Sequence, residues 1–389
     1  MVVVVVGAGP VGLMVAWELA RLGVRPVVLE ALPRPSLAPK ANGIVGRAVP
    51  LLHARGLYAE LTGRRLRPAP RFMYGGFPLD LRRLRDNPVH ILPVPQRRLE
   101  EVLASRVVAA GVSLRRGHTV SGLGPSASAE GVTVDVEGPS GAYTLSASYV
   151  VGCDGAHSMV RKAAGIGFPG VSDDGVVSRS AHVVLPRRAL TPITGRLRGP
   201  GGPYRPYLFN RTPHGVFSFA RFGRGPHLLT TLEWGASVDE TVPMTVGELR
   251  QSLARVLGRE IMFAAPVAGT GPHVLRRATA RQNRVAACYG SGRVLLAGDA
   301  AHVVAGFGGP LLNLGLLDAV DLAGRLARDD VSGYDAARRP YAERVLASSA
   351  EQAALLSPGA ETSSRRERFA AYLATEAGLR RVADTIAGG

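Results

Sequence analysis

The chain has 389 residues, a formal net charge of +17 at pH 7 and 46% hydrophobic residues. This length is sufficient for two domains with separate cores, and no apolar run is long enough to cross a membrane. Because a predicted strand begins at Val2, the sequence leaves no room for a signal peptide, and we expect a soluble, cytoplasmic protein.

The positive charge comes almost wholly from arginine, since Lys40 and Lys162 are the only lysines. The arginines are scattered, and no helix-turn-helix, zinc-finger or RNA-binding motif accompanies them, so we expect no nucleic-acid partner. An arginine-biased genome or a general attraction for anionic cofactors and substrates explains the charge better. Cys153 and Cys288 are the only cysteines, which excludes a disulfide scaffold, and we expect no metal site because no metal-ligand spacing is present.

The first 30 residues are typical of a dinucleotide-binding unit. A valine-rich strand precedes a G-x-G-x-x-G turn and a helix predicted to end near Leu22. The turn residues are Gly7, Gly9, Pro10 and Gly12. The three glycines suit, in chain order, a tight turn, the close approach of a diphosphate and helix-on-strand packing. A second strand ends in Glu30, which is placed to bind the ribose of an adenosine; a structural turn with a solvent-facing glutamate is the alternative.

The next part of the chain alternates between loops, helices and short strands. The predicted elements are a loop over 33–47, a short helix over 47–55, strands and turns over 71–95 and a helix over 96–110. Gln96 and Arg97 begin the last of these helices. Their side chains either reach a diphosphate or ring edge or only cap and solvate the helix.

Two further strands end beside an Asp and a Gly. The strand over 149–153 runs into Asp154-Gly155, and the strand over 294–297 runs into Gly298-Asp299. A carboxylate at such a strand end accepts hydrogen bonds from the hydroxyls of a sugar or polyol. The sequence therefore predicts three strand-end sites on one chain.

A glycine-rich loop and a long helix follow the third site. The loop contains Gly306, Gly308 and Gly309, and Pro310 occupies the first helical position. The N–H groups of this loop and the positive end of the helix favour an electron-rich, partly anionic ring. His302, before the loop, is interpreted as a helix-entry residue rather than a base.

Residues 175–284 predict an antiparallel sheet. Strand-like composition over 178–185, 207–210, 216–222 and 227–234 is broken by Gly, Pro and Asn. Thr245 and Glu248 form a capping box that predicts a helix to about Leu257. The region is rich in aromatic residues, namely Tyr204, Tyr207, Phe209, Phe217, Phe219, Phe222 and Trp234. They either cradle a flat aromatic ligand on one face of the sheet or form an ordinary core.

The order and spacing of the three strand-end motifs are specific. The G-x-G-x-x-G turn with Glu30, the Asp-Gly motif with Ser158 and Arg161, and the Gly-Asp motif resemble those of the FAD-dependent aromatic hydroxylases. These are the class A flavin monooxygenases typified by para-hydroxybenzoate hydroxylase, and the likeness is greatest to their polyketide-tailoring branch. The resemblance covers nearly the whole chain. It implies an α/β fold, in which a Rossmann-type FAD-binding domain carries an inserted antiparallel-sheet substrate domain and C-terminal helices.

The predicted elements, taken with this resemblance, divide the chain into three parts. The FAD-binding domain comprises 1–70, 96–174 and 285–330. The substrate-binding domain comprises 71–95 and 175–284. The C-terminal helical segment comprises 331–389, and its predicted helices lie over 337–356 and 365–386.

The resemblance also implies a non-covalent FAD and the residues that bind it. The glycines of the first turn would hold its diphosphate, Glu30 its ribose and Asp299 its ribityl chain. Asp154 and Arg161 belong to a motif linked to both FAD and the nicotinamide cofactor. The complete set of implied cofactor-binding residues is Gly7, Gly9, Pro10, Gly12, Glu30, Arg47, Gln96, Asp154, Arg161, Gly298, Asp299, Gly308, Gly309 and Asn313.

The implied activity is that of a monooxygenase that uses NAD(P)H and molecular oxygen. It would oxygenate, most simply by hydroxylation, an aromatic, polyketide-derived small molecule through a flavin C4a-hydroperoxide; a Baeyer–Villiger reaction or epoxidation would use the same intermediate. Because the flavin carries this chemistry, no catalytic side chain is required. The candidates are His182, His214 and Arg221; a histidine would orient or deprotonate a phenol, and a surface or hydrogen-bonded structural histidine is the alternative. We expect a monomer or homodimer without a membrane partner.

The chain departs from the family at the glycine-rich loop. The family usually has Gly-Gly-Gln-Gly-x-Asn where this chain has Gly-Gly-Pro-Leu-Leu-Asn. Pro310 lacks an N–H, and Leu311 places a branched side chain where glycine allows close approach. This departure motivates the alternative function of a FAD-binding protein without oxygenase activity, either a different redox tailoring enzyme or a ligand-binding accessory protein.

Overall fold

The structure is a computed structural model that describes residues 1–125, 131–171, 175–200, 202–223, 225–236, 238–279, 282–304 and 311–388. The helices are α1 Pro10–Arg21, α2 Ala48–Ala54, α3 Leu57–Thr62, α4 Gln96–Ala109, α5 Met159–Ala163, α6 Val246–Leu257, α7 Leu311–Leu326, α8 Tyr334–Leu356, α9 Ala360–Ala374 and α10 Glu376–Ala387. The strands are β1 Val3–Val6, β2 Val27–Glu30, β3 Ile44–Val45, β4 Arg71–Tyr74, β5 Phe77–Asp80, β6 Ile91–Leu92, β7 Ser113–Arg116, β8 Thr119–Pro125, β9 Val132–Gly138, β10 Gly141–Ala147, β11 Tyr149–Gly152, β12 Gly170–Val171, β13 Val176–Val183, β14 Leu197–Gly199, β15 Gly202–Tyr204, β16 Asn210–Thr212, β17 Gly215–Arg221, β18 His227–Trp234, β19 Leu275–Ala278, β20 Asn283–Val285, β21 Gly290–Ser291, β22 Val294–Leu296 and β23 His302–Val303.

A six-stranded sheet in the order β21-β22-β11-β1-β2-β7 forms the main body. From β22 to β7 the neighbouring strands are parallel, whereas the edge strand β21 is antiparallel to β22. All four valines of β1 are buried, as expected at the centre of a parallel sheet that is covered by helices. Helix α1 packs against both α4 and α7. This arrangement confirms the predicted mixed α/β class.

A five-stranded antiparallel sheet has the order β16-β17-β18-β13-β19. Helix α6 covers one face, where Phe217 and Phe219 are buried in a core with Leu253. Arg179 lies within the same part of the fold and donates hydrogen bonds to Glu233 at 2.6 Å and to Glu248 at 2.7 Å. A buried charge network therefore joins this sheet to α6.

Two local predictions in the five-stranded sheet have different outcomes. The Thr245 Oγ accepts the Glu248 N–H at 3.0 Å, so the predicted helix start is confirmed. The strand predicted over 207–210 is wrong in position, because β16 begins only at Asn210. Tyr207 has a φ of 58°, and this left-handed conformation does not continue a strand.

Helices α8, α9 and α10 close one side of the molecule. Residues of these helices pack with the β4–β5 hairpin in a core that includes Tyr74, Leu373 and Val382. The single helix predicted over 365–386 is wrong, because two helices occupy that stretch. Thr375 is extended, and its Oγ accepts the Gly378 N–H at 3.0 Å, which starts α10. Among the described residues, no helix combines the length and apolar composition needed to cross a bilayer.

Candidate active site

The three acidic strand-end motifs lie side by side at one edge of the six-stranded sheet. They follow β1–β2, β11 and β22, of which β1, β11 and β22 are consecutive neighbours. The Cys153 N–H donates to the Val6 carbonyl at 2.8 Å, and the Ala297 N–H donates to the Gly152 carbonyl at 3.0 Å. The carboxyl ends of the three strands are therefore level, which is where open α/β sheets bind ligands.

The glycines of the first turn have different steric roles. A Cβ at Gly7 would lie 2.4 Å from the carbonyl oxygen of Cys153, and one at Gly12 would lie 1.9 Å from that of Gly7. These two positions therefore require glycine because the turn, the strand and α1 are packed too closely for a side chain. Gly9 differs, since a Cβ there would meet no atom within 4 Å.

A cavity of about 450 Å³ opens at the ends of β1, β2 and β11, and we call it the strand-end recess. Gly9, Glu30, Arg97 and Asp154 contribute to its lining. Its volume lies in the range of small-molecule sites, and α1 begins beside it with Pro10 in the first turn. The open space at Gly9 and the positive end of α1 fit the diphosphate of FAD.

Glu30 lies at the end of β2 and is fixed by the backbone of two loops. Its Oε2 accepts the Ala8 N–H at 2.7 Å, and its Oε1 accepts the Leu32 N–H at 2.9 Å. A carboxylate has about four acceptor positions, so these bonds leave capacity for ribose hydroxyls. Glu30 therefore has a structural role that is compatible with the ligand-binding role, which stays a prediction.

Asp154 and Arg161 connect the second motif to the third. The Asp154 carboxylate accepts the Ser158 hydroxyl at 2.6 Å and the Val160 N–H at 3.1 Å, which fixes the start of α5. Arg161 is 5% exposed and donates to the Ala300 carbonyl at 2.9 Å. Burial lowers the pKa of this guanidinium. Its guanidinium therefore holds two strand ends together from behind the recess.

The third motif follows β22 at the same edge of the sheet, but its residues do not line the recess. Gly298 has a φ of 64°, and a Cβ there would lie 2.9 Å from a methyl group of Val11 on α1. The next residue, Asp299, is exposed. Although solvent reaches this residue, the protein packed around its carboxyl desolvates it and raises its pKa, and the proximity of His302 and Lys40 opposes this shift. That Asp299 accepts hydrogen bonds from the hydroxyl groups of a bound polyol stays a prediction.

The remaining cofactor candidates lie around β3 and the starts of α4 and α7. The Asn313 Oδ1 accepts the Val45 N–H at 2.9 Å, which joins α7 to β3. The Arg47 N–H donates to the Ala387 carbonyl at 2.8 Å, while its side chain is exposed. The Gln96 Nε2 donates to Glu100 at 2.8 Å. Gly308, Gly309 and Pro310 lie outside the described residues.

A buried ionic network behind Asp299 was missed by the sequence analysis. His302 belongs to β23 instead of a helix entry, and its Nε2 shares a 2.6 Å hydrogen bond with the Asp318 Oδ2. The Asp318 Oδ1 accepts the Arg338 Nε–H at 2.8 Å, and both His302 and Asp318 are 0% exposed. The one sequence signal was Asp318 itself, a carboxylate among the apolar residues of α7.

The candidate catalytic residues are not brought together. His214 precedes β17 and Arg221 ends it, so they lie about 20 Å apart at opposite ends of one strand, and both are exposed. The His182 Nδ1 accepts the Val274 N–H at 3.1 Å. Burial, and secondarily the proximity of His273, lowers the pKa of His182. His182 is therefore a neutral, hydrogen-bonded histidine at pH 7.

The aromatic residues of the five-stranded sheet divide between a core and the surface. Phe217 and Phe219 are buried beneath α6, with Tyr204 packed against them. Tyr207 and Phe222 are exposed. The core interpretation therefore applies to the phenylalanines of β17, and they do not form an open aromatic face. In the described part of the chain, no cluster of three or more His, Cys, Asp or Glu is arranged to hold a metal ion.

Comparison with known proteins agrees with this geometry. Residues 1–349 match the protein family described as FAD binding domain. A 12-dehydrotetracycline 5-monooxygenase/anhydrotetracycline 6-monooxygenase of Streptomyces rimosus is 38% identical over 384 residues, which cover 94% of this chain and 72% of the relative. CabE, an aromatic hydroxylase from angucycline biosynthesis, has a TM-score of 0.81 and 31% identity over 99% of this chain and 75% of its own.

One similar structure belongs to an enzyme with another activity. The Diels-Alderase PyrE3 of the pyrroindomycin pathway has a TM-score of 0.84 and 27% identity over 100% of this chain and 80% of its own. Its similarity extends over the same fold as that of the hydroxylases. The fold alone therefore does not specify oxygen transfer, and function has to be argued from the site.

Proposed function

From the premise that the chain belongs to the FAD binding domain family and is a FAD-dependent monooxygenase, we propose that it hydroxylates an aromatic, polyketide-derived small molecule with NAD(P)H as reductant. The observation that carries this proposal is that three acidic strand-end motifs lie at one edge of the sheet, where Glu30 and Asp154 line a recess in which Gly9 leaves room for a diphosphate. The tetracycline and angucycline hydroxylases among the similar proteins support the substrate class.

The residues of the strand-end recess, together with Asp299 at the neighbouring strand end, would hold FAD. The backbone at Gly9 and the first turn of α1 would contact the diphosphate, Glu30 the ribose and Asp299 the ribityl hydroxyls. Bound FAD would supply the oxygen activation after reduction by NAD(P)H, a chemistry that amino-acid side chains lack. Arg161 would position Asp299 without contacting FAD, since its hydrogen bond to the Ala300 carbonyl keeps the turn that carries Asp299 in place.

The two sheets have different roles in this proposal. We assign the cofactor to the six-stranded sheet and the substrate to the side formed by the β4–β5 hairpin, the five-stranded sheet and α8. Val216 and Leu232 of the five-stranded sheet pack against Leu356 of α8, so this sheet and α8 have a common border. A substrate held along that border would be enclosed by protein, which excludes water from the oxygen-transfer step.

The test is incorporation of labelled oxygen. The FAD-loaded protein would be supplied with anhydrotetracycline, with NADH and NADPH in separate reactions, and with ¹⁸O₂. We expect a product that carries one ¹⁸O atom and loses the label when ¹⁶O₂ and H₂¹⁸O are used instead. If NAD(P)H is consumed but neither anhydrotetracycline nor an angucycline gains oxygen, or if a product forms without added oxygen as in a cyclisation, the proposal is wrong.

A further inference from the structure

A small cavity lies between β4, α8 and the end of α10. Its volume is about 60 Å³, and we call it the Ser349 cavity. Its apolar lining comes from Val45, Phe72, Met73, Val345 and Ile386. Asn313 also lines it, so the cavity borders the start of α7, which carries one of the cofactor-binding residues implied by the resemblance.

Most polar side chains of this cavity have partners. The Tyr74 hydroxyl bonds to Ser348 at 3.1 Å and donates to Glu351, and burial raises the pKa of this phenol. The Gln352 Oε1 accepts the Gly75 N–H at 3.3 Å. Their hydrogen bonds fix these side chains as walls of the cavity.

Ser349 is a buried polar side chain of this cavity that lacks a partner within the described part of the chain. It is 2% exposed, and among the described residues its Oγ has no hydrogen-bond partner. A serine within a helix usually donates to the carbonyl four residues earlier, and here Ser349 does not bond to Val345 in this way. A buried hydroxyl without a partner is unfavourable, so this one is available to an occupant of the cavity.

We propose that the Ser349 cavity is the subsite that receives a hydroxyl- or carbonyl-bearing edge of the aromatic substrate, with Ser349 as its polar anchor. This inference rests on the proposed function, because it assumes an aromatic substrate. The space holds roughly four water molecules, which corresponds to one substituted ring edge rather than a whole polycycle. The apolar lining contacts the ring, and Ser349 Oγ exchanges a hydrogen bond with its oxygen.

Helix α10 closes the end of this subsite. Thr385, Ile386 and Gly388 line the cavity, and the Ala387 carbonyl between them accepts the Arg47 N–H at 2.8 Å. These residues lie outside the 1–349 range that matches the family. This end of the subsite is therefore formed by residues beyond the matched range, and Ile386 contributes an apolar side chain to it.

The test uses 4-iodophenol and iodobenzene as probes of the FAD-loaded protein. Their affinities are measured by isothermal titration calorimetry, and the iodine is located by anomalous diffraction. We expect 4-iodophenol to bind in the cavity with its hydroxyl on Ser349 and to bind more tightly than iodobenzene. Ser349→Ala should lower the affinity for 4-iodophenol about fivefold and leave the affinity for iodobenzene unchanged. Ser364→Ala, at an exposed serine of α9, should change neither affinity.

A second variant keeps the test decisive if Ser349→Ala folds poorly. Ile386→Phe should fill the cavity and lower the affinity for both probes at least tenfold, because the added ring occupies their space. Iodine found elsewhere, or equal 4-iodophenol affinity in wild type and Ser349→Ala, would overturn the subsite. If the wild-type product carries labelled oxygen but Ser349→Ala binds 4-iodophenol as tightly as wild type, the subsite is rejected and the proposed activity stands. Serine-dependent probe binding without oxygen transfer would reject the proposed activity alone.

Discussion

The strand-end recess and the Ser349 cavity are formed in different ways. One wall of the recess is the backbone of the first turn, where Gly7 has no room for a Cβ, Gly9 faces open space, and the neighbouring Gly12 packs α1 against the turn. The Ser349 cavity is made by side chains from β3, β4, α7, α8 and α10, which are far apart in the chain. The proposed cofactor site therefore depends on local backbone geometry, whereas the proposed substrate subsite depends on tertiary packing and can vary with it.

The largest effect is expected where the backbone has no freedom. Gly12→Ala places a methyl group 1.9 Å from the Gly7 carbonyl, a backbone atom that cannot move without opening the turn. We expect no stable folded protein, or one that fails to retain FAD, as measured by soluble yield and flavin absorbance after gel filtration. Normal yield and flavin content in this variant would contradict the backbone-determined description of the recess.

The next effect concerns the buried network behind the recess. Asp318→Asn removes the charge that both His302 and Arg338 contact, and breaking such a buried pair costs about 3–5 kcal/mol. Chemical denaturation of the FAD-free protein measures this loss. Asp321→Asn is the matched control on the same helix, since its partner is the partly exposed Arg325 and the expected cost is below about 1 kcal/mol. Equal losses in the two variants would contradict the network.

A smaller effect separates binding from folding. Gly9→Ala adds a methyl group that meets no protein atom but projects into the recess. We expect FAD affinity to fall at least tenfold, equivalent to about 1.4 kcal/mol, while the melting temperature of the FAD-free protein stays within a few degrees. Fluorescence titration gives the affinity. If FAD binds Gly9→Ala as tightly as wild type, the diphosphate does not lie at this turn.

The smallest effect is a dependence on pH. Because burial raises the pKa of Asp299, its carboxylate becomes protonated as the pH falls through a value above the ordinary aspartate range. Protonation removes acceptor capacity, so FAD affinity should fall several-fold at acidic pH. The folding stability of the FAD-free protein depends on pH in the opposite direction. Because the pKa of Asp299 is raised in the folded state, this residue favours folding at low pH, and its contribution to stability is lost as the pH rises through that pKa. Asp299→Asn should flatten the acidic limb of FAD binding, and an unchanged profile would exclude Asp299 as a ligand.

The parts of the molecule that the sequence predicts well depend on local rules. The first turn, Glu30 and the two later strand ends were found because glycine and strand-end acidic residues have few structural alternatives in a βα unit. The family and the mixed α/β class followed from their order. The start of α6 at Thr245 was found for the same reason, since a capping box lies within four residues.

The parts that escaped prediction depend on contacts between distant segments. Asp318 lies 16 residues from His302 and 20 from Arg338, and nothing in the sequence specifies that they meet. The start of α10 depends on the side chain and backbone of Thr375 within a stretch of helix-forming residues. Ser349 resembles any helical serine in the sequence, and only packing shows that its hydroxyl lacks a partner.

The measurement that tests the central claim most directly is a single turnover without NAD(P)H. The FAD-loaded protein is chemically reduced, mixed with anhydrotetracycline or an angucycline and ¹⁸O₂, and quenched after one flavin oxidation. Our account predicts labelled product in an amount that approaches one ¹⁸O atom for each flavin oxidised. Complete flavin oxidation with hydrogen peroxide as the sole oxygen product, for every aromatic polyketide tried, would contradict it.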